Sequence, residues 1–299
     1  MLNRQKSILY MIECAGRPVT HLELTKWAFL LSQEMPTGGG SVFYDFLPYR
    51  FGPFSFLLFR EIDNLVRDGY LKAVKVNNKD AWARMPDVPS NARSLSGNIR
   101  SDAARVVERF VDSSPDKLLD YVYDTFPWYT ANSELRQLEQ RRIASPAVYT
   151  VGYEGWSVDR LLNELMRHGI ERIIDVRRNP VARRYGFHKT TLSRIAGKVN
   201  IEYVHFPQLG IPGEMRHDLD GIAAYERLFD RYIAELLPRE PEALSEVAKL
   251  IKEKPSVLMC MEADPAMCHR THLAAALSPT VELSVRHLRG QTICKAGLN

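Results

Sequence analysis

From Ala147 onward the chain alternates short β-rich runs with amphipathic segments, and this alternation restricts the fold more than any other feature. "AVYTVGY" is followed by the helical "SVDRLLNELMRHG", "IERIIDV" by "TTLSRIAGK", and "IEYVHF" by long helices over residues 222–237 and 243–254. Then come "SVLMCM", a helix over 269–277 and the β-rich "VELSVRHL". Strands separated by helices are joined by crossovers, so the segment predicts a mostly parallel sheet with helices on both faces. In such a sheet ligands bind beyond the carboxyl ends of the strands.

The first half has another grammar. "RQKSILYMIECAG" and "HLELTKWAFLLSQE", separated by Gly16 and Pro18, carry apolar residues at three and four spacing, as does "FSFLLFREIDNLVRDGYL" after Pro53. "YLKAVKV" then suits a strand, and residues 77–98, with Pro86, Pro89, Ser90 and Gly97, read as a loop. "SDAARVVERFVDSSPDKLLDYVYDTFP" is helical again, with Ser101 as its cap, and "NSELRQLEQRRIASP" leads to a boundary at Pro146. The expected organisation is a mainly helical domain over 1–146 and an α/β domain over 147–299, each large enough for its own core.

Helices followed by a hairpin are the order of a winged helix. "FGPFSFLLFREIDNLVRDGYL" resembles the third helix and the start of the wing in bacterial winged-helix proteins and the Panacea-like antitoxin group, over about residues 2–76. The resemblance implies a module that binds DNA or a protein partner; a helical packing or homo-oligomerisation module is the alternative. Arg50, Arg60, Arg67, Lys72 and Lys75 provide positive charge, interrupted by Glu61, Asp63 and Asp68.

A hydrophobic fraction of 45% and a charged fraction of 25% suit a soluble globular protein. The first apolar run is short for a signal peptide and is broken by Glu13, and no segment has the length of a membrane span. Cys14, Cys260, Cys268 and Cys294 are too scattered for a disulfide framework, which suits a reducing cytoplasm. The formal charge of +4 permits a nucleic-acid partner without requiring one.

Four loops at expected strand ends bring chemistry to one rim. The first holds Tyr153, Glu154 and Trp156; the second, "DVRRNPVARRYGFHK", holds Asp175, Arg177, Arg178, Arg183, Arg184, Tyr185, His188 and Lys189. The third runs from His205 into "PQLGIPGEMRH", and the fourth contains Glu262, Asp264, Cys268, His269 and Arg270. Each loop alone says little, because surface loops are generally polar; their convergence is the signal. "TVGYEGWSVDRLLNELMRHGIERIIDVRRNP", "YVHFPQLG" and "DPAMCHRTHLAAAL" together resemble the bacterial and archaeal family catalogued as domain of unknown function 488. That resemblance implies an α/β fold and supplies little biochemistry.

Between Arg177 and Arg194 the chain carries five arginines and a lysine with no acid among them, a phosphate-binding composition. Tyr185, Phe187 and His188 are interleaved and suit stacking on unpaired bases. Asp175, kept charged by Arg177, is a candidate general base or stabiliser of a cationic sugar, and Glu154 is the second candidate carboxylate. Cys260, Cys268, His269 and His272 lack the spacing of a zinc finger or ribbon, so neither a metal site nor another cofactor is expected. Cys260 reads as core, and Cys268, at a helix start, as a thiol of lowered pKa without an assigned base. Cys268, His269 and Arg270 read as a pocket wall, with His269 as proton carrier and Arg270 as the contact for phosphate or carboxylate.

This inventory points to a DNA glycosylase, a hydrolase that flips a modified or foreign nucleotide, such as one of phage DNA, and cleaves its N-glycosidic bond. A nucleotide or nucleoside hydrolase is the nearest alternative, and a ligand-sensing transcription regulator the alternative outside enzymology. No clustered acidic motif favours two-metal phosphodiester cleavage.

Overall fold

The computed structural model describes residues 1–86, 88, 92–216 and 220–289. Pro89, Ser90, His217 and Cys294 of the sequence reading lie outside the described residues. The chain divides into two compact units, Met1–Gln140 and Arg141–Asn299. Among the described residues no helix is long and apolar enough to cross a membrane.

In the first unit α1 (Asn3–Ala15) ends at Gly16, whose φ of 62° is the left-handed conformation that stops a helix. After β1 (Val19–Thr20), α2 (His21–Glu34) opens with a capping box: the Thr20 hydroxyl accepts from the Glu23 amide, and the Glu23 carboxylate accepts from the Thr20 amide. The hairpin of β2 (Leu47–Tyr49) and β3 (Gly52–Phe54) leads to α3 (Phe56–Arg67), capped by Ser55. A second hairpin joins β4 (Leu71–Val76) to β5 (Lys79–Arg84), and β1 completes a three-stranded sheet in the order β1-β5-β4.

Residues 77–98 are therefore not one loop. Asn77 and Asn78, with φ of 49° and 62°, form the two-residue turn of the second hairpin, where both central positions need positive φ. The strand that follows hides from sequence patterning because Lys79 and Asp80 are both exposed and Ala81 and Trp82 both buried. Ser101 is corrected too. Helix α4 (Gly97–Phe110) is capped by Ser96, and Ser101 lies exposed within it. Helix α5 (Pro115–Thr125) follows, capped by Ser114 with proline in its first turn. Glu61 is no surface acid, because it is buried against Arg4 at 2.6 Å and accepts from the Tyr44 hydroxyl at 2.8 Å.

The second unit contains β6 (Val148–Gly152), α6 (Val158–Arg167), β7 (Arg172–Asp175), α7 (Lys189–Gly197) and β8 (Glu202–His205). It continues with α8 (Ile222–Arg231), α9 (Pro241–Glu253), β9 (Ser256–Cys260), α10 (His269–Val281) and β10 (Val285–Leu288). The five strands form an all-parallel sheet in the order β10-β6-β9-β7-β8. The expected helix over 222–237 changes form midway, since α8 passes into a π-helical turn at Tyr232–Leu236 and a 3-10 turn at Leu237–Arg239. The last strand is shorter than "VELSVRHL": α10 persists to Val281, and Glu282 turns the chain with φ 58°.

Val148, Ile174, Leu258 and Cys260 form one core with Leu228, Phe229, Val247, Ile251, Leu273 and Leu277, so α8, α9 and α10 cover the sheet face those strand residues occupy. Right-handed crossovers place α6 and α7 on the opposite face. The connection leaving β9 thus departs on the other side from those leaving its neighbours β6 and β7. Such a reversal opens a crevice at the carboxyl ends of the strands.

Candidate functional site

The loop leaving β9, Met261–Cys268, enters that crevice. Gly152 at the end of β6 lets it in: a Cβ there would stand 1.7 Å from the Glu262 carbonyl oxygen. Arg270, 1% exposed on the first turn of α10, donates to the Glu262 carbonyl at 2.5 Å and to the Ala263 carbonyl at 3.2 Å. Glu154 holds the loop from outside by accepting from the Ala263 amide at 3.0 Å.

A cleft of about 260 Å³ lies beside this loop, lined among others by Tyr153, Arg177, Arg178, Arg216, Cys260 and Glu262. Glu262 Oε1 faces Arg216 Nη1 at 3.6 Å. Its Oε2 accepts from the thiols of Cys260 and Cys268, each at 3.0 Å. Burial alone would raise the Glu262 pKa, but the two thiol hydrogen bonds bring it down to about 2. Hydrogen bonding to Cys268, with burial, pushes the Cys260 thiol up. Burial would also raise Cys268, yet its bonds to Cys260 and His269 hold it below the ordinary thiol value.

Behind the cleft, Asp175 at the end of β7 is wholly buried. Arg177 Nε and Nη2 donate to its two oxygens at 2.9 and 2.6 Å, and the Tyr203 hydroxyl donates at 2.6 Å. Arg177 Nη1 donates to the Tyr153 hydroxyl at 2.8 Å. Burial would lower the Arg177 pKa, but Asp175 and Tyr153 offset it and leave it raised. Burial and the neighbouring Asp175 charge push Tyr203 up.

The structure brings together Tyr153, Asp175, Arg177, Arg178, Cys268 and His269 and reassigns several roles. Asp175 has both oxygens engaged and no exposed surface, so it anchors Arg177 instead of orienting water. Glu154 is exposed but outside the cleft lining, and its role is to tie the loop. Arg270 gives its guanidinium to backbone carbonyls and is closed to phosphate. His269, 1% exposed, pairs Nε2 with the Val176 carbonyl at 3.0 Å and is no open proton carrier. Phe187 is fully buried, stacked on Tyr153 at 4.0 Å, and unavailable to a base.

Trp156 is mostly buried beneath the Arg160 guanidinium. Arg183, Arg184, His188, Lys189 and Arg194 are exposed and Tyr185 half-buried; Arg184 reaches the Trp156 carbonyl at 2.8 Å, and Lys189 lies 3.1 Å from His205 Nδ1. Glu262 and Arg216 were on the rim in the sequence reading without an assigned role. The pairing of Arg216 with the acid two residues beyond a strand end has no local sequence signature.

Residues 157–277 match the family model described as Domain of unknown function DUF488. "DVRRNP" and "CHR" lie inside the match and "GYEG" just before it, so the resemblance holds for the second unit. No curated protein and no solved structure matches the chain.

Proposed function

We propose that the second unit hydrolyses the N-glycosidic bond of a nucleotide in DNA, and that the first unit is a winged helix that holds the DNA. The observation that carries this reading is the cleft itself: one partly exposed carboxylate, Glu262, among the guanidinium groups of Arg177, Arg178 and Arg216. A sugar losing its base develops positive charge, which a fixed carboxylate stabilises while water attacks. Arg178 and Arg216, at the mouth, suit the flanking phosphates. A cleft of about 260 Å³ suits a single nucleotide, and a nucleotide of duplex DNA would have to be flipped to enter it.

The exposed cations from Arg183 to Arg194 supply a strip for the backbone. In the first unit the order α1-β1-α2-β2-β3-α3 followed by the β4-β5 hairpin supports the winged-helix reading, with Arg60 and Arg67 on the exposed side of α3 and Lys72, Lys75 and Lys79 on the second hairpin. Modified or phage DNA in the cytoplasm is the proposed substrate, because an added DNA-holding unit suits selection among DNAs.

A second reading is carried by a cleft of about 490 Å³ in the first unit, lined by His21, Lys26, Tyr49, Phe54 and Phe59 among others, which suits a regulator that senses an apolar ligand. Incubation with unmodified and modified phage DNAs, with and without added Zn²⁺, separates the readings. Mass spectrometry would detect released bases and an aldehyde-reactive probe the abasic sites. Matching amounts of both are expected. Base release from free nucleotides alone would make the protein a nucleotide hydrolase, and DNA bound but unchanged throughout would leave the regulator.

A further inference from the structure

Two thiols and an imidazole meet at the carboxyl end of β9. Cys260 Sγ, Cys268 Sγ and a ring nitrogen of His269 lie within 4.8 Å of one another. The three residues are 2%, 1% and 1% exposed, far from the usual setting of a solvated polar cluster. Their convergence depends on chain direction: Cys268 is still extended, with φ −141°, while His269 is the first residue of α10, so adjacent residues turn their side chains to one point.

The imidazole orientation is informative. His269 Nε2 lies 3.0 Å from the Val176 carbonyl, which can only accept, so Nε2 carries the hydrogen. In the neutral ring the lone pair is then on Nδ1, which faces Cys260 Sγ at 3.8 Å. Metal-bound histidines are held in this way, with the outer N–H on a backbone carbonyl or carboxylate fixing tautomer and ring angle. Glu262 Oε2, 3.0 Å from both sulfurs, supplies the remaining corner, while Oε1 stays toward Arg216 and the cleft.

We infer that Cys260, Cys268, His269 and Glu262 bind one borderline-soft divalent cation of the Zn²⁺ class. Two sulfurs, one imidazole nitrogen and one carboxylate oxygen form a four-coordinate donor set of the type zinc takes, whereas magnesium and calcium take oxygen ligands. Binding requires both sulfurs as thiolates and releases the protons they still carry, so affinity rises with pH. On spacing alone the group of Cys260, Cys268, His269 and His272 gives no zinc pattern; His272 instead packs on Phe229 at 4.6 Å, and Glu262 takes the fourth place. The inference stands on donor geometry and does not rest on the glycosidase reading.

The full-length protein, purified anaerobically under reduction, stripped with a chelator and titrated with Co²⁺, gives the test. Expected are about one ion per chain, a thiolate-to-cobalt charge-transfer absorption and the d–d bands of tetrahedral Co²⁺, all displaced by Zn²⁺. Cys260→Ser and Cys268→Ser are expected to lose the charge-transfer absorption, and His272→Ala to keep it. A wild-type protein without that absorption overturns the site even where a variant fails to fold, as does an absorption that survives both serine changes. Base release by cobalt-silent protein would sink the metal site alone; cobalt binding without base release would sink the glycosidase reading alone.

Discussion

The two units carry clefts of opposite chemistry. In the first unit, aromatic rings surround Lys26, whose ammonium donates to the carbonyls of Phe51 and Pro53 at 2.5 and 2.9 Å and so holds the β2-β3 turn. In the second, Asp175 lies behind the wall and neutralises Arg177, which lines the cleft, while Arg178, Arg216 and Glu262 still reach solvent in part. A buried charge thus serves architecture where its partners belong to the same small fold element, and serves a site where its network leaves other charges at the rim. The difference follows from topology, because parallel strands deliver several loops to one edge and a hairpin between helices does not.

The comparison breaks most readily at Glu262. Glu262→Gln is expected to lower base release by about 10²–10³-fold, the usual effect of removing one group that stabilises transition-state charge; wild-type rates would move the chemistry out of this cleft. Asp175→Asn is expected to cost about 3–5 kcal/mol of stability, because it leaves Arg177 buried without its ion partner. Denaturant titration of the full chain reads that loss, and an unchanged midpoint would make the pair dispensable.

Lys26 sharpens the comparison through pH. Burial lowers its pKa from 10.5 to about 7, so between those values the unfolded chain holds the proton that the folded chain has lost. Stability then rises with pH across the window, by about 1.4 kcal/mol per unit at most, and the cost of the buried charge is fully present below it. The unfolding midpoint of the wild type relative to Lys26→Met is expected to climb from pH 7 toward 10.5; a flat difference would show that the two carbonyls keep the ammonium charged. The smallest effect is at the exposed strip. Replacing Arg183 and Arg184 with alanine is expected to reduce the salt slope of DNA binding by about 0.9 for each phosphate no longer neutralised, and an unaltered slope would detach the strip from the backbone.

Strands β6, β7, β8 and β9 and the helices between them were legible because period and length separate them cleanly. Strand β5 was not, since its stability comes from Trp82, stacked on His21 at 3.8 Å, and from the turn at Asn77 and Asn78, and not from alternation. Which loops line the cleft was legible for the same reason that the parallel sheet was. Individual roles were not. Every residue of β7 is buried, so a period of two cannot tell that Asp175 points inward to Arg177, nor that Arg270 turns to its own loop and not to solvent. Charge density marked the 177–194 segment correctly as basic, yet composition cannot separate the buried Arg177 from the exposed Arg183.

Strand β9 lies between β6 and β7, and the loop after it is fastened on every side by Gly152, Arg270 and Glu154. A change in that loop must therefore be accommodated by the end of β6 and the start of α10 as well as by β9 itself. The segment 211–216, which brings Ile211, Gly213 and Arg216 to the same cleft, follows β8, which among the described residues pairs with β7 alone. Substitutions are accordingly expected to be tolerated more readily on the β8 side than around the thiol and carboxylate cluster, so that the border of the cleft can be rewritten with the cluster left in place.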